Sequence, residues 1–92
     1  MDSLIETDTD ETTIVPDIVT AGQLKQALYH FNLFYQIDAY LKQQNGLIWI
    51  WWTTYPNFNR NDERLIAASQ QLNDAGITND LDEIFIYAAT LE

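Results

Sequence analysis

The stretch 47–54, LIWIWWTT, constrains this chain's fold more than any other segment. It is apolar on both faces whether residues are counted at the helical or the strand period, so it either lies at the centre of the domain or leaves an apolar face outside. Its β-branched and aromatic content favours a buried strand on propensity, while periodicity leaves helix and strand open. Trp49, Trp51 and Trp52 cannot all point inward at either period, which places at least one of them near the surface. Pro56 stops either element nearby.

Clearer signals surround this segment. Thr20 and Gln23 form a capping box, in which the Thr hydroxyl accepts from the third helical N–H and the Gln side chain reaches back, and Val19 and Leu24 occupy the hydrophobic-staple positions. Read as one helix through Gln44, the segment places Leu24, Ala27, Leu28, Phe31, Phe34, Tyr35 and Leu41 on one face. Tyr29, Leu33, Ile37 and Tyr40 then fall on the opposite face, and Asp38 lies among the apolar set. A break near Asn32 removes most of this conflict and predicts helices over 20–31 and 34–44. One long helix that offers its second face to a partner is the alternative. Asn45-Gly46 is expected to end the second helix by a left-handed cap.

Downstream, Asn61 is the expected cap of a helix whose first turn carries Asp62 and Glu63, where the helix dipole favours anions. Leu65, Ala68, Ser69, Leu72 and Ala75 share its face, and Gly76 supplies the stop, with Ile77 positioned against Leu72. In the last segment Asn79 is the expected cap, Asp80, Asp82 and Glu83 fill the first turn, and Leu81, Ile84, Phe85, Ala88 and Leu91 repeat at helical spacing. The expected fold is therefore mainly α, a compact bundle of four to five short helices behind an extended acidic N-terminal arm. An α+β arrangement with strands 47–54 and 83–90 is the alternative.

Charge divides the chain into regions. Fourteen Asp and Glu face four Lys and Arg over 92 residues, a formal net charge of -10. Residues 1–19 read as an acidic extended arm, because Asp2, Glu6, Asp8, Asp10, Glu11 and Asp17 stand there with no base among them. Residues 20–92 read as one small helical domain, with 47% apolar residues in the whole chain available for its core. The arm's two apolar patches, Leu4-Ile5 and Ile14-Val15, suit it to anchoring on a neighbouring surface. Such a balance disfavours direct contact with nucleic acid or an anionic membrane, since both need clustered cations. Cysteine is absent, which excludes disulfides, thiolate metal sites and a cysteine nucleophile. No signal-peptide pattern opens the chain, and no apolar run approaches the roughly eighteen residues of a membrane span.

The ordered residues Val19-Thr20, Gln23-Leu24, Ala27-Leu28, Leu33, Ile37-Asp38, Ile50, Trp52, Phe58, Arg60, Leu65-Ile66, Ala68, Leu81-Asp82, Phe85, Ala88-Ala89 and Leu91 resemble a pattern met elsewhere. It is that of small helical proteins encoded among tail, baseplate or tail-fibre genes of tailed bacteriophages. The likeness spans residues 19–91 and is carried by helix-patterning residues. It departs at 50–60, where that group has a helix with polar positions and this chain has Trp49, Trp51 and Pro56. The resemblance implies a mostly helical fold, a phage origin and no catalytic residue.

Chemistry-bearing groups are sparse. Ser3, Ser69 and His30 form no recognisable nucleophile and base set, and His30 between Tyr29 and Phe31 reads as a structural histidine. Asp80, Asp82 and Glu83 have sufficient duty at a helix start, and neither they nor Asp8, Asp10 and Glu11 match a calcium loop. The three tryptophans with Tyr55 read either as core or as an interface patch. The expectation is a non-enzymatic protein without cofactor or metal, acting by protein binding through Ile14, Val15, Trp49, Trp51, Trp52, Tyr55 and Phe58. Its expected partners are other phage tail proteins, a basic host protein or a second copy of itself. Its expected place is the virion or the host cytoplasm. A small acidic inhibitor of a host nucleic-acid-binding defence enzyme, of the anti-CRISPR or DNA-mimic type, is the alternative.

Overall fold

The computed structural model describes residues 15–91. Their order is β1 (Ile18–Thr20), α1 (Ala21–His30), α2 (Phe34–Lys42), α3 (Gly46–Thr54), β2 (Asn57–Asn59), α4 (Glu63–Asp74) and α5 (Leu81–Ala88). The fold is mainly helical with a small two-stranded sheet. Among the described residues no helix is long and apolar enough to cross a membrane.

The described end of the acidic arm is built into this fold. β1 pairs antiparallel with β2, with Val19 opposite Phe58, Ile18 opposite Asn59 and Thr20 opposite Asn57. Alternation sends Val19 and Phe58 into the core and leaves the flanking residues exposed. The ladder continues at both ends, where Ala21 N donates to Pro56 O and Arg60 N to Asp17 O, each at 2.8 Å. Val15 is half-buried against the core, whereas Ile14 lies outside the described residues.

The capping box forms as its residue types dictate. Gln23 N donates to Thr20 Oγ1 at 3.1 Å, and Thr20 N donates to Gln23 Oε1 at 2.9 Å. Gln23 Nε2 also donates to Leu91 O at 2.7 Å, tying the start of α1 to the end of α5. The chain breaks at Asn32, which takes a left-handed φ of 62°. Leu33 N then donates to Leu28 O and Asn32 N to Tyr29 O, the two bonds of a Schellman turn. The same turn closes α4, with Gly76 at φ 89°, Ile77 N donating to Leu72 O and Gly76 N to Asn73 O.

Residues 47–54 are helical, against the strand propensity of the segment, and 81–88 are helical too, so the α+β alternative with strands 47–54 and 83–90 does not hold. A buried strand leaves every backbone N–H and C=O in need of a neighbouring strand, whereas a helix satisfies them internally. Asn45 starts α3, its side chain accepting from Ile48 N at 3.0 Å. It does not end α2 in a left-handed cap; α2 stops at Lys42, and Gly46 is the first residue of α3. Thr53 and Thr54 donate back to Trp49 O and Ile50 O at its last turn, before Pro56.

Two further caps sit one residue beyond the expected Asn. Asp62 caps α4 and Asp80 caps α5, each carboxylate accepting from the N–H two residues on. The core gathers Leu24, Ala27 and Leu28 of α1, Ile37 and Leu41 of α2, Trp51 and Trp52 of α3, Leu65, Ala68 and Leu72 of α4, and Ile84, Phe85 and Ala88 of α5. α1 lies along α5, and α2 packs on α3 and α4.

Candidate functional site

A helical period places Trp51 and Trp52 on the inner side of α3 and Leu47 and Ile50 on the outer side. Trp51, Trp52 and Phe58 are fully enclosed, with ring centroids 5.1 to 6.2 Å apart, so these three expected partner-binding residues are core and have no surface to offer. Trp49 is half-buried, and Tyr55 is exposed beside Trp51 at 6.4 Å. What α3 does present to solvent is Leu47 at 78% exposure and Ile50 at 55%.

Each basic residue of the chain already has an intramolecular partner. The Lys25 ammonium stands 4.8 Å above the Trp52 ring, that of Lys42 5.9 Å from Trp49, and the Arg64 guanidinium 4.1 Å from Trp51. Such cation–π contacts are electrostatic, the positive charge meeting the negative face of the ring. Arg64 also grips Asp62 with two parallel bonds of 2.9 and 2.6 Å, and this pairing lowers the Asp62 pKa below its ordinary value. Arg60 Nε donates to Asp82 at 2.6 Å. Asp17, Glu63, Asp74, Asp80 and Glu83 meanwhile face solvent.

Against this acidic exterior, a concave face is free of carboxylates among the described residues. Lys25, Gln26, Tyr29 and His30 of α1, Phe34 at the start of α2, and Tyr87 and Leu91 at the end of α5 line a groove of about 580 Å³. Across Tyr29 and Phe34 it runs into a second depression of about 400 Å³, bordered by Asn32, Tyr35 and Gln36. Neither lining holds an Asp or Glu, whereas three other depressions each include at least one.

Aromatic contacts set the groove's walls. His30 stacks on Tyr87 with centroids 4.1 Å apart and planes 14° apart, and Phe31 meets the same tyrosine edge-on at 5.7 Å. Tyr29 and Tyr35 stand edge to face at 6.4 Å and are 64% and 70% exposed. The Schellman turn at Asn32 makes this pairing possible, because it folds the start of α2 back beside the end of α1. Rigid aromatics interleaved with amides and one lysine make a surface suited to polypeptide contact, giving large contact area at low entropic cost.

Ser69 and His30 are not brought together. Ser69 Oγ donates to Asn79 Oδ1, and Asn79 Nδ2 donates to Ser69 O and Ile77 O, so this polar cluster ties α4 to the turn before α5. Among the described residues no group of three or more His, Asp or Glu could hold a metal ion. Tyr29, Phe34, Tyr35 and Tyr87 were not expected as site residues. The signal that could have found them was Tyr29, a large aromatic on the polar side of α1 that the break at Asn32 does not bring inside. No family model, no curated protein and no solved structure matches the chain.

Proposed function

We propose that this protein is a non-enzymatic binding component that docks a protein partner in the aromatic groove between α1 and α5, and that it serves as a structural or assembly element of a phage tail or baseplate. The observation that carries the binding reading is the carboxylate-free face formed by Tyr29, Phe34, Tyr35 and Tyr87 on a chain of net charge -10. The phage assignment rests on the helix-patterning resemblance across residues 19–91. Two substitutions test the groove. Tyr29→Ser with Tyr35→Ser removes the exposed rings without touching the core, and Leu47→Ser with Ile50→Ser alters the other exposed apolar face as a control. Crosslinked partners recovered from infected cells and read by mass spectrometry are expected to disappear with the tyrosine pair alone. Equal recovery with both pairs refutes the groove, and purified virions with no trace of the protein refute the tail assignment.

A second reading is favoured by the engagement of all four cations, which leaves an exterior of unpaired carboxylates. Such a surface suits an acidic inhibitor that occupies a basic channel of a nucleic-acid enzyme. Its binding would weaken steeply with salt. A low-salt capture that recovers no such enzyme sinks it.

A further inference from the structure

The donors left idle along the groove select the kind of backbone it can hold. Gln23, Gln44 and Asn79 spend their side-chain amides on carbonyls of the fold. Among the described residues no such bond engages the amides of Gln26, Asn32 and Gln36 or the hydroxyls of Tyr29, Tyr35 and Tyr87, all of which line the groove and its continuation. A helical ligand has already paired its carbonyls, so laid here it would strip water from these donors and return no acceptor. An extended ligand brings unpaired carbonyls. The polyproline II form brings them with its shape already set, since it has no internal hydrogen bonds and loses little entropy on docking against aromatic rings. Tyr29 and Tyr35, 64% and 70% exposed, offer such rings to proline.

Charge gives the groove a direction. α1 and α5 run antiparallel: Gln23 bonds Leu91 at one end, His30 stacks on Tyr87 midway, and Phe31 and Leu33 share a depression of about 130 Å³ with Asp80, Glu83 and Ile84 at the other. Lys25 therefore lies toward the Leu91 end, and Asp80 and Glu83 lie beyond the opposite one. Phe31 joins the two regions, because it meets Tyr87 edge-on and also lines the acidic depression. Glu83 stands one turn before Tyr87 on α5, so the two share a face, and both carboxylates are exposed. A cation on the ligand is drawn to this end and repelled from the Lys25 end.

Resting on the reading of the groove as a docking site, we infer that it takes an extended, proline-containing segment of the partner protein, with prolines against Tyr29, Phe34, Tyr35 and Tyr87 and a Lys or Arg beside Glu83 and Asp80. The test titrates the isotope-labelled full chain, followed by NMR, with blocked synthetic peptides of equal length: a proline-rich one ending in Arg, the same ending in Glu, and an alanine-rich helical one ending in Arg. The first is expected to move the amide signals of Gln26–Gln36 and Glu83–Leu91 while leaving those of α3 and α4 in place. The second should bind about fivefold more weakly, and Glu83→Gln should narrow that preference to about twofold. Tyr29→Ser with Tyr35→Ser should remove binding without changing the circular dichroism of the chain. Helical-peptide binding as tight as that of the proline peptide, equal affinity for the Arg and Glu forms, shifts centred on Leu47 and Ile50, or no response to any peptide overturns the inference. If the proline peptides leave the groove unmoved while partner crosslinking still depends on Tyr29 and Tyr35, only the ligand class is wrong. If the Arg-ended proline peptide binds as expected but crosslinking ignores those tyrosines, the ligand class stands and the partner site fails.

Discussion

Replacing Asp38 with Ala tests how the domain keeps a buried tryptophan in place. Trp52 is 1% exposed, and its indole Nε1 donates to Asp38 Oδ1 at 2.9 Å. The substitution leaves that donor enclosed without its partner, at a cost of about 1–3 kcal/mol for an orphaned buried group. Ala is a better helix former than Asp by up to about 0.7 kcal/mol, which offsets part of the loss because Asp38 lies inside α2. The expected net destabilisation is then about 1–2 kcal/mol, a fall in Tm of roughly 4–16 °C for a domain of this size. Asp38→Asn retains an oxygen acceptor and loses only the charge assistance, so its cost should be less than half as large, about 0.5 kcal/mol. Urea unfolding followed by tryptophan fluorescence gives both values. If Asp38→Ala and Asp38→Asn agree within about 0.3 kcal/mol, solvent has taken over the indole N–H and the orphaned-donor reasoning is refuted.

Arg64→Ala removes both the contact over Trp51 and the fork on Asp62, and is expected to lower the urea-derived stability by about 1–2 kcal/mol, with Arg64→Lys restoring less than half because an ammonium cannot reproduce the planar fork. Since the folded pKa of Asp62 is depressed, its contribution is present above the unfolded value near 3.8 and is lost as pH falls through the folded one. Acid unfolding of the wild type should therefore include a loss below about pH 4 that Asp62→Asn lacks, and identical acid profiles would contradict the assignment. At the left-handed Asn32, Asn32→Gly should be neutral or slightly stabilising and Asn32→Ala destabilising by about 1 kcal/mol, as measured by thermal melts.

Local signals with a single physical solution were readable from the amino acids. The Thr20 and Gln23 box, the break at Asn32 and the stop at Gly76 all formed where their residue types demanded. The cap positions were less determined, because Asn61-Asp62 and Asn79-Asp80 each offer two capping side chains. In both pairs the aspartate caps, placing a full negative charge at the positive end of the helix. Asn79 is needed elsewhere, since its amide N–H groups serve the carbonyls of Ser69 and Ile77 and a carboxylate cannot donate. Asn45-Gly46 misled for a related reason: the same pair can end one helix or begin the next.

Residues 47–54 were opaque because the run Leu47 to Trp52 is apolar throughout and has no period to read. Only the surrounding topology decides that Trp51 and Trp52 turn inward while Leu47 and Ile50 stay outside. The groove was hidden by a different cause. Its walls come from α1, α2 and α5, so Tyr29 and Tyr87, far apart in the chain, line one face only once α1 and α5 pack together. Asp38 is the converse case, a polar residue that spoiled the pattern of α2 and is explained by one indole.

With Lys25, Lys42 and Arg64 seated over rings and Arg60 on a carboxylate, the molecule's outer ionic layer is close to one-signed. In such a layer added salt relieves self-repulsion, while partly shielded ring contacts inside it are screened far less. Ionic strength should accordingly harden this fold, making the domain most fragile in dilute buffer and sturdier as salt is raised.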